Sequence, residues 1–188
     1  MPEHLWRNQA NGIHINKSEL KPLKAKLEAK ITQLYFEKEY GAINDKSKLR
    51  NYKKFKTNFS QENYVNIPDV PLAWRKLYCS FRLSAHDLEI ERGRYSRPYV
   101  PVENRICKLC NVTTESEDHF MLNCTEFNEH RETLFTKIDR LDPNFLELND
   151  DDRFKYLMTN TNNTITIHVM EFIYLAYRKR KCKLSSGQ

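Results

Sequence analysis

With 188 residues, only 4 glycines and 30% charged side chains, the chain is long enough for one domain with a sizeable core, or for one domain and an arm. No apolar run approaches the length of a membrane-spanning helix, and no secretory or transit signature is present, which excludes a membrane-spanning class. We therefore expect an intracellular, largely helical protein of the nucleus or cytoplasm.

The net charge of +6 is unevenly distributed along the chain. Residues 1–56 contain 13 Lys/Arg and 6 Asp/Glu, residues 153–188 contain 7 and 1, and residues 98–152 contain 5 and 13. Both ends are therefore basic, whereas the acidic stretch between them would repel phosphates. If nucleic acid binds, the ends and residues 74–97 must make most of the contacts. The alternative is that these cations only solvate helix surfaces.

Residues 1–16 are polar and without periodicity, and we expect them to be loose. From Ser18 to about Tyr40, apolar residues recur at spacings of three and four, which predicts an amphipathic helix that stops at Gly41. A free helix would expose this stripe, so we expect the 18–40 helix to contact the rest of the chain, a second copy of it or a parent polyprotein. The stripe consists of Leu20, Leu23, Leu27, Ile31 and Leu34.

A second basic helix is predicted after Ser47, with Tyr52 and Phe55 among its apolar residues. Its cations include Lys53 and Lys54, and aromatic rings interleaved with lysines can stack bases and hold phosphates. The alternative is that the rings are buried and the lysines extend past them into solvent.

One central helix is predicted from Trp74 to Glu91, because its apolar residues again recur at spacings of three and four. Gly93 would allow the left-handed turn that terminates it. A dense polar cluster lies at its end, and this cluster could either bind an anion or form a buried ion-pair hub; we favour the hub. The cluster comprises His86, Glu91, Arg92, Arg94 and Tyr95.

The next segment contains the pattern Cys-x2-Cys-x8-His-x4-Cys. Three thiolates and one imidazole supply the ligand set and number of a closed tetrahedral zinc site, which leaves no position open for catalysis. We therefore predict one structural zinc ion, with a short helix carrying the last two ligands. The predicted ligands are Cys107, Cys110, His119 and Cys124.

Other interpretations of these residues are weaker. An odd number of five cysteines and the absence of a signal peptide disfavour a disulfide framework. A redox Cys-x2-Cys normally opens a helix after a strand, whereas Cys107 follows a polar loop with prolines. His130 could replace His119 as the fourth ligand. However, in a helix capped by Thr125, His130 would lie on the inner face and be partly buried without binding metal. We therefore expect His119.

Three helices are predicted after the metal motif. The first ends near Leu141, the second spans Asp150 to Met158 with Asn149 at its start, and the third begins at Thr164. The third helix places Ile165, Val169, Phe172, Ile173 and Ala176 on a core face. It ends in a basic cluster that could hold phosphate, or could simply suit a helix C-terminus: Arg178, Lys179, Arg180 and Lys181.

Several of these motifs occur together in one known family. The run Ser84-Ala-His-x-Leu-Glu-Ile-Glu-Arg-Gly-Arg-Tyr, a proline-containing loop, Arg-Ile-Cys-x2-Cys and Glu-Asp-His-Phe-x-Leu-x-Cys follow one another here. This order resembles the C-terminal zinc-knuckle region of non-LTR (LINE-type) retrotransposon polyproteins, and the resemblance extends over about Lys48 to Lys181. It implies zinc at the four ligands above and a role in holding template RNA or target DNA.

Catalysis is not expected. The chain has no Tyr-x-Asp-Asp-type motif of a reverse transcriptase and no evident endonuclease carboxylate–histidine set. The acidic triple Asp150–Asp152 is better explained as the capped start of a helix. His130-Arg-Glu132 superficially matches the deaminase His-x-Glu motif, but no Pro-Cys-x2-Cys follows it.

The sequence thus predicts an all-α protein with an N-terminal arm over residues 1–46, a zinc-stapled helical domain over 47–183 and a tail over 184–188. We expect it to bind RNA or DNA non-catalytically through basic helices; the alternative is a structural or protein-interaction zinc domain with no nucleic-acid role. The candidate nucleic-acid-binding residues are Arg92, Arg94, Lys53, Lys54, Arg178, Lys179, Arg180 and Lys181.

Overall fold

A computed structural model describes residues 17–44, 49–56 and 60–186. Within these ranges the secondary structure is helical apart from one isolated antiparallel bridge between Ile106 and Thr114, which confirms the predicted all-α class. The α-helices are α1 (Lys17–Asn44), α2 (Tyr52–Phe55), α3 (Leu72–Arg82), α4 (Glu89–Tyr95), α5 (Asn128–Asp139), α6 (Asp150–Thr159) and α7 (Asn163–Ser186).

Some predictions lie outside the described residues, namely those for residues 1–16 and for Ser47 at the start of the second helix. Of that second helix the structure describes one turn, α2, in which Phe55 is buried. In the described part of the chain, no helix combines the length and the apolar content that crossing a bilayer requires.

The chain divides into two compact units, one ending at Gly41 and the other beginning at Ala42. In the described residues the first unit consists of residues 17–41 of helix α1. The helix itself continues to Asn44, so the prediction that Gly41 stops it is wrong. Gly41 does not have the positive φ of a left-handed terminator. The predicted leucine stripe is exposed, with Leu27 at 60%.

Helix α7 forms the centre of the second unit, because α3, α5 and α6 all pack against it. Its five predicted core residues, from Ile165 to Ala176, are all buried, as the periodicity indicated. Phe120 lies in the same core, with its ring centroid 5.1 Å from that of Phe81 and 4.6 Å from that of Phe127. Because Phe120 directly follows His119, the core fixes the backbone of the predicted metal segment.

The predicted central helix is two helices, α3 and α4, so the prediction of one helix over Trp74–Glu91 is wrong. Ser84 has a φ of 50°, and the N–H groups of Ser84 and Ala85 donate to the carbonyls of Phe81 and Ser80 at 3.3 and 2.7 Å. This paired arrangement is the Schellman motif that closes a helix, here with serine where glycine is usual.

Gly93 lies inside α4 and does not terminate it. A Cβ added to Gly93 would lie 2.6 Å from Cγ of Arg105, whose side chain is buried and donates to the carbonyls of Val100 and Ile90. Glycine is therefore required here for close packing and not for a left-handed turn.

The helix starts in the second half of the chain are partly as predicted. The Asn149 side chain accepts a hydrogen bond from the Asp152 N–H at 3.0 Å and caps α6, which confirms the capped start at Asp150. Thr125 instead begins a short 3-10 turn, and α5 starts at Asn128 without a side-chain cap, so the predicted Thr125 cap is wrong.

Candidate metal centre

The first two predicted ligands lie on a tight backbone turn. The Cys107 N–H donates to the carbonyl of Thr113 at 2.8 Å, and the Asn111 N–H donates to the carbonyl of Cys107 at 2.9 Å. Asn111 has a φ of 56°, a left-handed conformation that asparagine tolerates better than most residues. The turn therefore brings Cys107 and Cys110 to the same side of the loop.

The last two predicted ligands lie at the two ends of a π-helical turn, His119–Asn123, in place of the short α-helix expected there. The Cys124 N–H donates to the carbonyl of His119, five residues earlier, at 2.8 Å. This bond places two residues five positions apart next to each other. Single π-helical turns are rare and occur frequently at functional sites.

The four predicted ligands converge. Sγ of Cys107 is 3.9 Å from Sγ of Cys124, and Sγ of Cys110 is 3.3 Å from Nε2 of His119. The four ligand atoms all lie within 4.8 Å of one another, and three of the four residues are buried. The group can therefore hold one metal ion. The thiol separation is far longer than the ~2.0 Å of a disulfide, and all five cysteines are free.

The close pair of thiols changes the acidity of both. Hydrogen bonding from Cys124 lowers the pKa of the Cys107 thiol to about 3, against the effect of burial and with help from His119. The same hydrogen bond raises the pKa of Cys124. Because the thiolate is the form of cysteine that binds metals, this pairing favours the binding form of Cys107.

Glu115 connects this cluster to helix α7. Its Oε1 lies 3.8 Å from Sγ of Cys107, and its Oε2 accepts a hydrogen bond from the Glu89 N–H at the start of α4 at 2.8 Å. Nε and Nη2 of Arg180 donate to Oε1 and Oε2 at 2.6 and 2.7 Å. Burial opposes the charge of Arg180, but Glu115 and Asp87 hold its pKa above the ordinary value.

A second buried arginine supports the other end of the cluster. Nη2 of Arg131 donates to the carbonyl of Cys124 at 2.6 Å, and its Nε donates to the carbonyl of Met121 at 2.9 Å. These bonds hold the carbonyls at the end of the π-helix and at the residue that follows it. Arg131 thus fixes the backbone on which Cys124 is carried.

The ion-pair hub favoured from the sequence forms around His86, Glu91 and Arg94, whereas Arg92 and Tyr95 of the same predicted cluster are exposed. Glu117 is buried, its Oε1 is 2.7 Å from Nε2 of His86, and Arg50 pairs with both Glu117 and Glu91. Burial opposes ionisation of Glu117, but His86 and Arg50 hold its pKa down at about 2. Glu117, which belongs to this hub, is two residues before His119. The hub therefore connects α4 to the metal segment.

Sequence reasoning did not identify Glu115, Arg131 or Arg180 as partners of the metal segment. A signal existed for Arg180, because it continues the core spacing of α7 after Ala176 at an interval of four. Glu115 had no such signal, since its partner is 65 residues away in the chain.

Of the two histidines considered as the fourth ligand, His119 lies in the cluster. His130 instead lines a groove between α5 and α7 together with Glu129 and His168. Cys79 and Cys182 also lie outside the cluster among the described residues, and the Tyr64 hydroxyl donates to Cys79 at 3.6 Å.

The candidate nucleic-acid-binding residues lie on α2, α4 and α7. Lys54, Arg92, Arg178 and Lys181 are exposed, whereas Lys53, Arg94 and Lys179 are half-buried. Arg180 is buried against Glu115 and Asp87, so its guanidinium has a structural role inside the protein.

Comparisons with family models, with curated protein sequences and with solved structures give no match for this chain.

Proposed function

We propose that this chain is a zinc-binding module of retrotransposon origin that holds RNA or DNA without catalysing a reaction. The observation that carries this proposal is the convergence of three thiols and one imidazole. Bonds of about 2.3 Å to sulfur and about 2.0–2.1 Å to nitrogen in a zinc tetrahedron give ligand separations of about 3.8 Å and about 3.6 Å. The separations of 3.9 and 3.3 Å described above are close to these values.

The donor set favours zinc and a structural role. Thiolate-rich tetrahedral sites select zinc among the common cations, and four protein ligands leave no position for a substrate or an activated water. When bound, the ion would supply four strong bonds between the Cys107–Cys110 turn and the π-helix. Of the residues around it, Arg131 holds the backbone at Cys124, and Glu115 contacts the sulfur of Cys107.

Nucleic acid is the proposed partner because exposed cations lie outside the acidic metal segment. The C-terminal part of α7 carries Arg178 and Lys181 on its surface, and α2 and α4 carry Lys54 and Arg92. Lys and Arg contacts to phosphate supply most sequence-independent affinity for RNA and DNA. The order of motifs shared with LINE-type polyproteins supports the same partner and a location in the nucleus or cytoplasm.

The test combines metal content with binding. Purified protein is analysed by mass spectrometry for zinc, and its binding to labelled RNA and DNA is measured by fluorescence anisotropy at two salt concentrations. We expect one zinc ion per chain and affinity that falls at least tenfold between about 50 mM and about 200 mM salt. Absence of binding to every nucleic acid at the lower salt would overturn the proposed partner.

A protein-interaction module is the second candidate, and the exposed stripe on α1 favours it. Leu20, Leu23, Leu27, Ile31 and Leu34 are each 44–60% exposed. Repeated exposed leucines on one helix commonly mark an interaction surface. A homodimer detected by light scattering that becomes a monomer in Leu27→Asp would support this candidate, and a monomer in both proteins would count against self-association.

A further inference from the structure

Helices α3 and α7 pack side by side and leave a groove of about 430 Å³ along their shared surface. Its charged lining residues are all cations: Lys76 from α3, and Arg178 and Lys181 from α7. No Asp or Glu is among the described residues that line it. By contrast, carboxylates line the α5–α7 groove, which contains Glu129 and Glu171. The α3–α7 groove is therefore suited to an anion.

The cations of α7 are held against tyrosine rings. The Cζ atom of Arg178 is 5.7 Å from the ring centroid of Tyr174, and Nζ of Lys181 is 5.1 Å from the ring centroid of Tyr177. Each cation is four residues after its tyrosine, the spacing at which side chains of a helix meet. Such cation–π contacts restrict the cations to positions along the groove before any ligand binds.

The groove also offers an aromatic surface. Tyr174 is half-buried, and its ring centroid lies 6.0 Å from that of Trp74 on α3. Tyr177 is buried, and its hydroxyl donates to Asp87, so Tyr177 supports the groove wall. Tyr174 is thus the ring in this groove that a ligand can reach.

We propose that the α3–α7 groove is a binding site for single-stranded nucleic acid. Phosphates contact Lys76, Arg178 and Lys181, and an unpaired base stacks on Tyr174. This inference rests on the proposed function and assigns it a site and a strand preference. A cationic cleft with an aromatic ring matches an unpaired strand, whose bases can enter and stack. Proteins read a DNA duplex by inserting a protruding element into the grooves of the DNA. The concave α3–α7 groove does not provide such an element.

The number of cations fixes the expected salt dependence. Three phosphate contacts give a slope of log affinity against log salt of about −2 for a single strand. Removing two of them reduces the magnitude of the slope by about 1.4 and lowers affinity about 20-fold at 0.1 M salt.

The experiment measures anisotropy of labelled single-stranded RNA, single-stranded DNA and duplex DNA with the full chain. The groove variant is Arg178→Gln/Lys181→Gln, which changes two exposed side chains. The matched control is Arg140→Gln/Lys155→Gln, which removes the same charge from exposed residues that do not line the groove. We expect the groove variant to lose single-strand affinity about 20-fold, and the control to lose less than about threefold.

A second pair of variants tests stacking. Tyr174→Phe keeps the ring and is expected to retain binding, whereas Tyr174→Ala is expected to lose about tenfold. Zinc content and circular dichroism of each variant establish that the fold is intact.

The outcomes separate this inference from the proposed function. If no nucleic acid binds to the parent protein, the proposed function is overturned. If nucleic acid binds but the groove variant and the control lose affinity equally, the site is overturned and the function stands. If duplex DNA binds more tightly than either single strand, the strand preference is overturned.

Discussion

The guanidinium of Arg180 and the carboxylate of Glu115 form two parallel hydrogen bonds, and both residues are 1% exposed. This bidentate pair joins the last helix to a residue that contacts Sγ of Cys107. Helix α7 and the candidate metal centre therefore share one buried charge pair. Substitution of either Arg180 or Glu115 should therefore affect both the packing of α7 and the metal centre.

The first prediction concerns this pair. Arg180→Met leaves the carboxylate of Glu115 buried without its counter-charge, and we expect the free energy of unfolding to fall by about 3–5 kcal/mol. Urea denaturation of the metal-loaded protein measures the change. The adjacent Lys179→Met is the control, with an expected change within about 0.5 kcal/mol. Equal effects of the two substitutions would contradict a structural role for Arg180.

The second prediction concerns the fourth ligand. His119→Ala and Cys110→Ser should each abolish stoichiometric metal binding and lower the helical circular dichroism signal, because they remove bonds that link the turn to the π-helix. His130→Ala should keep one ion per chain, since His130 lies in a different groove. Metal analysis by mass spectrometry decides the question. Retention of the ion in His119→Ala together with its loss in His130→Ala would reverse the assignment.

Much of the site follows from local sequence, because four ligands within eighteen consecutive positions leave few ways to converge. The core face of α7 was equally predictable from the spacing of its apolar residues. The break after α3 was not, since Ser84 adopts a left-handed conformation that its residue type does not signal.

The buried arginines were missed for a different reason. Sequence patterning assigns cations to the surface by default, and the partner of Arg180, Glu115, is 65 positions away. The half-buried Arg50 likewise pairs with Glu91, 41 positions away. Such pairs are decided by tertiary packing.

The third prediction uses Gly41 and Gly93, the two glycines in the helices that the structure describes. Gly93→Ala places a methyl group against the buried Arg105 side chain, which cannot move without breaking its bonds to Val100 and Ile90, and we expect a loss of about 1–3 kcal/mol. Gly41→Ala meets open space and should raise helical content, because alanine is favoured over glycine in a helix by about 1 kcal/mol. Denaturation and circular dichroism measure the pair; a stabilising Gly93→Ala would refute the close-packing explanation.

The fourth prediction concerns pH. Burial and the nearby Lys137 lower the pKa of His168 below its ordinary value, although Glu171 acts in the opposite direction. The unfolded chain therefore binds this proton more readily than the folded chain. The stability contributed by neutral His168 is fully present above a pH of about 6.5 and is lost as the pH falls through the folded pKa.

We expect His168→Gln to flatten the decline in unfolding free energy below pH 6.5 relative to the parent protein. Because acid also releases metal from both proteins, the difference between their two curves isolates the histidine. Parallel curves would show that His168 titrates normally.

Helix α7 is the last described element of the chain, yet α3, α5 and α6 all pack against it. During synthesis the four metal ligands leave the ribosome well before α7 does. The nascent chain therefore passes through a stage in which the metal segment can close while the apolar faces of the earlier helices have no partner, a state prone to aggregation. Adequate metal in the growth medium, holdase chaperones and a low growth temperature, which weakens hydrophobic association, are consequently the conditions that should raise the yield of folded protein.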